Sequence, residues 1–269
     1  VDRNHIALPK LGTVRAKVSR PLQGRFMSVT VSLDAAGRYF ATFLCTDVPT
    51  KNTPPATDRE VGIDLGVETL ATLSDGRKIG NPRHLKKYER KLAREQRRLS
   101  RRKGARRDEK PSDRYLKQRK RVARIHAKIA DARTDALHKV TTMLADENQV
   151  LCMEDLNANG MVRNHHLAKA VSDASFGEFA RLLEYKCAER GRTLVKVGRF
   201  YPSSKTCSAC GHRLDALPLS VRVWDCPACG AHHDRDVNAA RNILAEGKRV
   251  LSNTEGTAGH AGTVAAVPA

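Results

Sequence analysis

Aromatic side chains are scarce, with one Trp, five Tyr and six Phe in 269 residues. So few rings exclude base stacking as the main source of affinity for a nucleic acid. Acidic side chains are outnumbered 29 to 49 by Lys and Arg, which leaves a formal net charge of +20 and a pI near 10.1. That imbalance excludes a basic partner and points to a polyanion, nucleic acid first and an anionic membrane surface second. No apolar run approaches the ~18 residues of a membrane span, and no signal-peptide pattern is present. The chain starts at Val1 rather than Met and reads as part of a longer frame. Cysteine is also sparse, with seven residues. Cys45, Cys152 and Cys187 stand alone in apolar surroundings and read as buried core thiols. The pattern suits a reducing cytosol rather than a disulfide scaffold. The length allows one large domain or two modest ones.

What is present begins with β structure over residues 1–48. Phe26 to Leu33 alternates apolar and polar residues, Asp34 to Gly37 turns, and Tyr39 to Cys45 returns. Residues 49–58 are Pro-rich and polar and read as a linker. A new unit starts at Val61, where the strand Val61 to Val67 carries an acid in its middle. Leu70 to Leu73 and a short piece near Ile79 follow as further strands. Residues 83–147 read as two long helices with narrow apolar seams, Leu85, Tyr88, Leu92 and Leu99 in the first, and Val122, Ile125 and Ile129 in the second. An antiparallel pair follows from such seams. Pro111, Ser112 and Asp113 break the pattern and offer a cap for the second helix. Between residues 83 and 128, 21 Lys/Arg face 5 Asp/Glu, an excess of 16 on one element. Gln149 to Met153 is a buried strand ending at Glu154. Phe176 to Arg190 is an amphipathic helix ended by Gly191, Thr193 to Val197 a strand, and Val237 to Leu251 a last helix. Residues 252–269 are small and Gly-rich and read as disordered.

Cys207, Cys210, Cys226 and Cys229 form CxxC, fifteen residues, CxxC. Gly211 and Gly230 follow the second cysteine of each pair, where the chain must turn sharply. Four thiolates close a tetrahedral shell, so the spacing predicts one structural zinc ion. A redox CxxC is the competing reading, and two matched pairs disfavour it. His212, His232 and His233 are competing ligands, better read as surface or nucleic-acid-facing residues because four sulfurs already complete the shell.

Three acids have particular settings. Asp64 lies inside an apolar strand, Glu154 ends a buried one, and Asp236 starts a helix. An ionised carboxylate in a core strand is costly without a partner. Two such charges ~4 Å apart repel by about 4 kcal/mol at an effective dielectric of 20. A divalent cation turns that repulsion into a site, and oxygen ligands suit Mg²⁺ or Mn²⁺. The blander alternatives stay open at this point: an edge aspartate at 64, a lysine-paired glutamate at 154, and helix-dipole acids at 234 and 236. Asp155 and Asp234 are second choices for the metal.

Val61-Gly-Ile-Asp-Leu-Gly66, Cys152-Met-Glu-Asp-Leu-Asn157, Tyr201-Pro-Ser-Ser-Lys-Thr-Cys-Ser-Ala-Cys-Gly211 and Asp234-Arg-Asp-Val-Asn-Ala-Ala240 resemble, in this order, the motifs of TnpB-type proteins. These are the OrfB proteins of bacterial insertion sequences, related to compact type V CRISPR nucleases. The resemblance implies an α/β fold: an RNase H-like (RuvC) core with a basic helical-hairpin insertion and a zinc ribbon, preceded by part of a β-barrel. It places the barrel segment at 1–48, a linker at 49–59, the core at 60–205 with its helical insertion at 83–147, the ribbon at 206–230, the end of the core at 231–251 and a disordered tail at 252–269. By motif match Asp64, Glu154 and Asp236 take the three catalytic acid positions and hold magnesium, while the four cysteines take the zinc positions. It further implies a metal-dependent DNA endonuclease, guided by RNA to a DNA target, in the bacterial cytoplasm in association with the nucleoid, with no membrane partner. Full members carry a longer N-terminal part with a helical recognition region and the first half of the barrel.

The density of charge on the helices points to phosphate contact without base reading. Arg97, Arg98, Arg101, Arg102, Lys103, Arg106 and Arg107 are the candidates, with Lys205, Arg213, Arg235 and Arg241 placed to guide a strand near the ribbon and the third acid. Two other functions compete: a truncated or inactive remnant that binds nucleic acid as a repressor, and strand transfer through a covalent tyrosine. The three intact acids disfavour the first. Tyr201, followed by Pro202 beside the ribbon, reads as structural, which disfavours the second.

Overall fold

The central strands are apolar on both faces, and helices cover both. In the computed structural model, which describes residues 4–18, 21–49, 53–102, 110–165 and 167–258, two hairpins come first. They are β1 (His5–Leu8) with β2 (Gly12–Arg15), and β3 (Arg25–Leu33) with β4 (Tyr39–Thr46). β5 (Glu60–Leu65), β6 (Thr69–Leu73) and β7 (Lys78–Gly80) then form an antiparallel run. Helices α1 (His84–Arg102) and α2 (Asp113–Glu147) follow, then β8 (Val150–Glu154), the short α3 (Ala158–Arg163) and α4 (Ala168–Ala174), α5 (Phe176–Glu189) and β9 (Thr193–Val197). Strands β8 and β9 join the sheet in parallel, giving the mixed order β7-β6-β5-β8-β9. β10 (Val223–Asp225) and β11 (His232–Asp234) make a small separate ribbon before α6 (Arg235–Ala258).

Side chains alternate across each strand. Val61, Ile63, Leu151 and Met153 therefore face one way, into the main core with Leu137, Leu144, Phe179 and Leu183 of α2 and α5. Gly62, Asp64, Cys152 and Glu154 face the other way, toward α6, where Cys152, Val195 and Val197 pack with Ile243. The buried Lys186 of α5 donates to the carbonyl of His138 and the hydroxyls of Thr141 and Thr142, fixing α5 on α2.

The basic helices are an antiparallel pair around Leu92, Val122, Ile125 and Ile129, with Leu85, Tyr88 and Leu99 against them. Ser112 caps α2, its hydroxyl accepting from the Tyr115 N–H at 3.2 Å. A buried polar pair crosses the seam: Gln118 Nε2 donates to Glu95 Oε2 at 2.8 Å. Asp173 receives the Leu85 N–H and the Arg133 guanidinium, tying the start of α1 to α2 and α4. Arg38 beside the β3–β4 turn pairs with Asp131 of α2. The linker is held as well, because Arg192 donates to the carbonyls of Pro54 and Pro55.

One sequence-based boundary is corrected. The last helix runs to Ala258 rather than ending at Leu251. Small polar residues hid its last turns because they carry no apolar period. Residues 259–269 lie outside the described residues. Among the described residues no helix is long and apolar enough to cross a membrane.

Candidate metal centres

The first centre lies where β5, β8 and α6 meet. The parallel register pairs Ile63 with Met153, which sets Asp64 beside Glu154 on the α6 side of the sheet. Asp236 stands in the first turn of α6. Two close approaches bring that helix down. A Cβ on Gly62 would lie 2.0 Å from the Ala240 carbonyl, and one on Gly247 would lie 2.3 Å from Cys152 Sγ. The Gly62–Ala240 contact holds α6 one turn beyond Asp236 and two residues before Asp64.

The electrostatics record the convergence. Burial, then the charges of Glu154 and Asp236, push the Asp64 carboxyl up to about 8, against a smaller opposite pull from Arg235. Burial also raises Glu154, countered by the Ser203 hydroxyl that donates to its Oε1. Arg222 lies 3.7 Å from Asp236 and 3.2 Å from Glu68. The second-choice acids have other work. Asp234 accepts the N–H groups of Asp236 and Val237 as a helix cap and pairs with Lys78 at 2.6 Å. Asp155 is exposed and pairs with Arg199.

Ser203, Asn238 and Asn242 belong to this neighbourhood and were not singled out from the sequence. Asn238 accepts the Ser208 N–H and donates to the Thr206 carbonyl. Asn242 donates to the carbonyls of Ser203 and Thr206. The two sit at i and i+4 on α6, one face of a helix. That spacing beside the acid was the available signal.

In the second centre one ligand atom from each of Cys207, Cys210, Cys226 and Cys229 lies within 4.8 Å of all the others. Each CxxC pair is built alike. The N–H of Gly211 returns to the Cys207 carbonyl and that of Cys207 to His212, while Gly230 returns to Cys226 and Cys226 to Ala231. Gly211 and Gly230 take φ of 78° and 71°, a conformation that favours glycine. Burial works against ionisation of Cys226, yet the N–H groups of Cys229 and Ala228, with the neighbouring thiols, hold it down to about 6. The set fits zinc. A tetrahedron with zinc–sulfur bonds of about 2.3 Å has edges near 3.8 Å, and the pairs Cys207–Cys229 and Cys210–Cys226 stand 3.7 Å apart.

Two expectations near the cysteines are corrected. His233 is not a surface residue: it is 4 % exposed, its ring lies 4.7 Å from that of Trp224, and its Nε2 is 3.0 Å from Cys207 Sγ. The β10–β11 pairing turns its side chain into the ribbon core. His232 and His212 are exposed, as expected, and His232 pairs with Asp225. Arg235 is not a strand-guiding cation. It is buried, and its guanidinium donates to the carbonyls of Pro218 and Val221, closing the ribbon onto the helix start.

The remaining basic candidates divide. Arg97 and Arg101 are exposed on α1. Arg98 pairs with Glu95, and Arg102 donates to Gln118 and to the Arg114 carbonyl, within the hairpin. Lys103, Arg106 and Arg107 lie outside the described residues. Lys205 reaches the Asp215 carbonyl inside the ribbon, and Arg213 is exposed there. Arg241 is exposed on α6, near the Ser74 carbonyl.

Residues 43–165 match the OrfB_IS605 family, described as probable transposase, and residues 176–243 match the Cas12f1-like TNB domain. A protein of Streptomyces pristinaespiralis named "putative RNA-guided DNA endonuclease" is 48 % identical over 242 residues, covering 86 % of this chain and 58 % of that protein. InsQ of Escherichia coli K12, which carries the same description, is 35 % identical over 266 residues, covering 93 % and 64 %. The chain thus spans about three fifths of the length of these relatives. A cryo-EM structure of a CRISPR-Cas12f ternary complex superposes with a TM-score of 0.51 at 21 % identity, covering 80 % of this chain and 44 % of that one.

Proposed function

We propose, from a chain that is related to the OrfB and TnpB proteins over most of its length, that it is the nuclease portion of an RNA-guided DNA endonuclease of an insertion sequence. In this reading the sheet β7-β6-β5-β8-β9 is an RNase H-like core over residues 60–205 and 231–251. The basic hairpin at 83–147 and a zinc ribbon at 206–230 are inserted into it. Its mixed order, three antiparallel strands followed by two parallel ones, supports that reading. The hairpins of residues 1–48 are the piece of a β-barrel, supported by the exposed Phe26, Leu33, Tyr39 and Leu44 along them.

Asp64, Glu154 and Asp236 are the catalytic acids, and the observation that carries this is the raised Asp64 carboxyl at their meeting point. Half-buried carboxylates that repel one another favour a cation between them, and oxygen donors suit Mg²⁺ or Mn²⁺. Such ions, when bound, activate water and stabilise the leaving oxygen in phosphodiester hydrolysis. The chain's own residues set the site up. Gly62 and Ala240 fix the height of Asp236, Ser203 orients Glu154, and Arg222 supplies positive charge beside Asp236. Arg97 and Arg101, with Lys205 and Arg241, are placed for phosphates of guide RNA and DNA target. The four cysteines hold zinc as a brace. The acids are all in place, so a binder without nuclease activity is not favoured.

Two measurements test this. Mg²⁺ should raise the melting temperature of the protein and support cleavage of labelled DNA, and Asp64→Ala should abolish both effects. Cleavage that survives Asp64→Ala would refute the assignment.

A further inference from the structure

The basic hairpin carries more than an exposed arginine face. On one flank of the α1–α2 seam a groove of about 370 Å³ is lined by Tyr88, Lys91, Glu95 and Arg98 of α1 and by Arg121, Arg124, Ile125 and Lys128 of α2. Five of these eight are cations. Glu95 is the lone acid and is already engaged by Gln118, Arg98 and Arg94. No carboxylate among the described residues pairs with Lys91, Arg121, Arg124 or Lys128, although the same helices pair other cations with Asp131, Asp135 and Glu89. Lys128 is also held in place, its ammonium 5.5 Å from the centre of the Tyr88 ring. Four cations without a carboxylate partner repel one another across the channel, so it suits an anion.

We infer that this groove is a nucleic-acid site separate from the Arg97/Arg101 face, and that it seats the phosphodiester backbone of a single strand. Helical spacing separates the two faces. At 100° per residue Arg97 lies about 100–120° and Arg101 about 60–80° round the helix from Arg98 and Lys91, so the two sets occupy adjoining faces. Size selects the ligand. The groove holds only about 370 Å³, room for a stretch of one backbone and not for a whole duplex. Lys91 to Arg98 and Arg121 to Lys128 each cover about 10 Å of helix, enough to flank about two to three successive phosphates of one strand. The two rows run side by side because the helices are antiparallel, so cations flank the strand on both sides. The floor is Ile125 and the Tyr88 ring, with the Lys128 ammonium over one of its faces. Binding is therefore to the backbone and indifferent to sequence.

The inference deepens the nucleic-acid reading of the hairpin and does not depend on cleavage, since none of the groove residues touches the acid centre. Its test is equilibrium binding by fluorescence anisotropy across a salt series, using the whole chain and labelled 12-mers of single-stranded DNA, single-stranded RNA and duplex DNA. The variant is Lys91→Gln/Arg121→Gln/Arg124→Gln/Lys128→Gln, compared with Arg97→Gln/Arg101→Gln. Single strands release about 0.7 counterion per phosphate neutralised. The fourfold variant should therefore lose about 2 from the log–log salt slope with a single strand and bind it about tenfold more weakly at low salt. Asp64→Ala, assayed for cleavage and not for binding, reports on the nuclease reading separately. The DNA and RNA arms identify which strand the groove holds, and a loss in either supports it. An unchanged slope with both single strands, or a loss confined to the duplex, overturns it. Circular dichroism of the fourfold variant guards the comparison, since the substituted side chains are exposed and the seam of Leu92, Val122 and Ile129 is untouched.

Discussion

At Asp64, burial and two neighbouring carboxylates act in the same direction. The metal-free folded protein keeps that proton until about pH 8, whereas the ordinary value is 3.8. The folded state binds the extra proton between those values, so this group makes stability fall as pH rises from about 4 to 8. Asp64→Asn cannot ionise and removes the slope. In chelator at pH 8 its melting temperature should exceed that of the wild type by several degrees, and near pH 4 the two should agree; thermal melts across pH decide it, and identical profiles would count against the buried acid. His233 offers a second residue-scale test. Groups that hydrogen-bond a metal ligand typically change metal affinity 10- to 100-fold when removed. His233→Ala should thus release zinc to a colorimetric chelator about tenfold faster or more, with His233→Gln intermediate; equal release rates would show that the contact with Cys207 does not matter to the site. The acids and the cysteines were legible because each stands out locally, a charge in an apolar strand or a thiol pair beside a turn glycine. Ser203 was not, because its partner Glu154 is 49 residues away and a serine near a proline has no local signature.

The elements were legible in proportion to their length and period. β5, β8, α5 and the helical pair carry clean alternation or a clean stripe, and Ser112 marks its cap. α3 and α4, of six and seven residues, are too short for a period to show, and the three-residue β10 and β11 are shorter still. Gly62 was visible in the motif, but its purpose was not. It exists so that α6 can lie against β5, and only the folded chain shows the Ala240 carbonyl where a methyl group would be. Gly62→Ala should cost about 1–3 kcal/mol in urea unfolding through overpacking. Since the helix must rise to admit the methyl, the same variant should lose the melting shift that Mg²⁺ gives the wild type. A variant that unfolds at the wild-type urea midpoint and still responds to Mg²⁺ would show that α6 tolerates displacement.

On the scale of the whole molecule, the charge excess was legible from composition and the order of strands and helices from their patterning, but the hydrogen-bonded link between the cysteine cluster and the acids was not. The cysteine ribbon hangs from α6 through Asn238 and Asn242, which grip Thr206 and the Ser203 carbonyl, while Ser203 in turn holds Glu154. Loss of zinc should travel along this route. Cys207→Ser or Cys229→Ser should abolish cutting and raise amide exchange at residues 201–208 as well as in the ribbon; normal cleavage by a zinc-free variant would show the centres to be independent. The route also depends on the order in which the acids are spaced along the chain. Asp64 and Glu154 sit on neighbouring strands, but Asp236 follows 172 residues after Asp64. At about 5–20 residues per second of synthesis, the first acid waits roughly 10–30 seconds for the third. Under the proposed function, a growing chain that has passed residue 147 has its whole basic hairpin while Asp236 is still to come, so it would hold a strand before it could cut one. On that reading the docking of α6 against Gly62 is the step that arms the site, and it comes last.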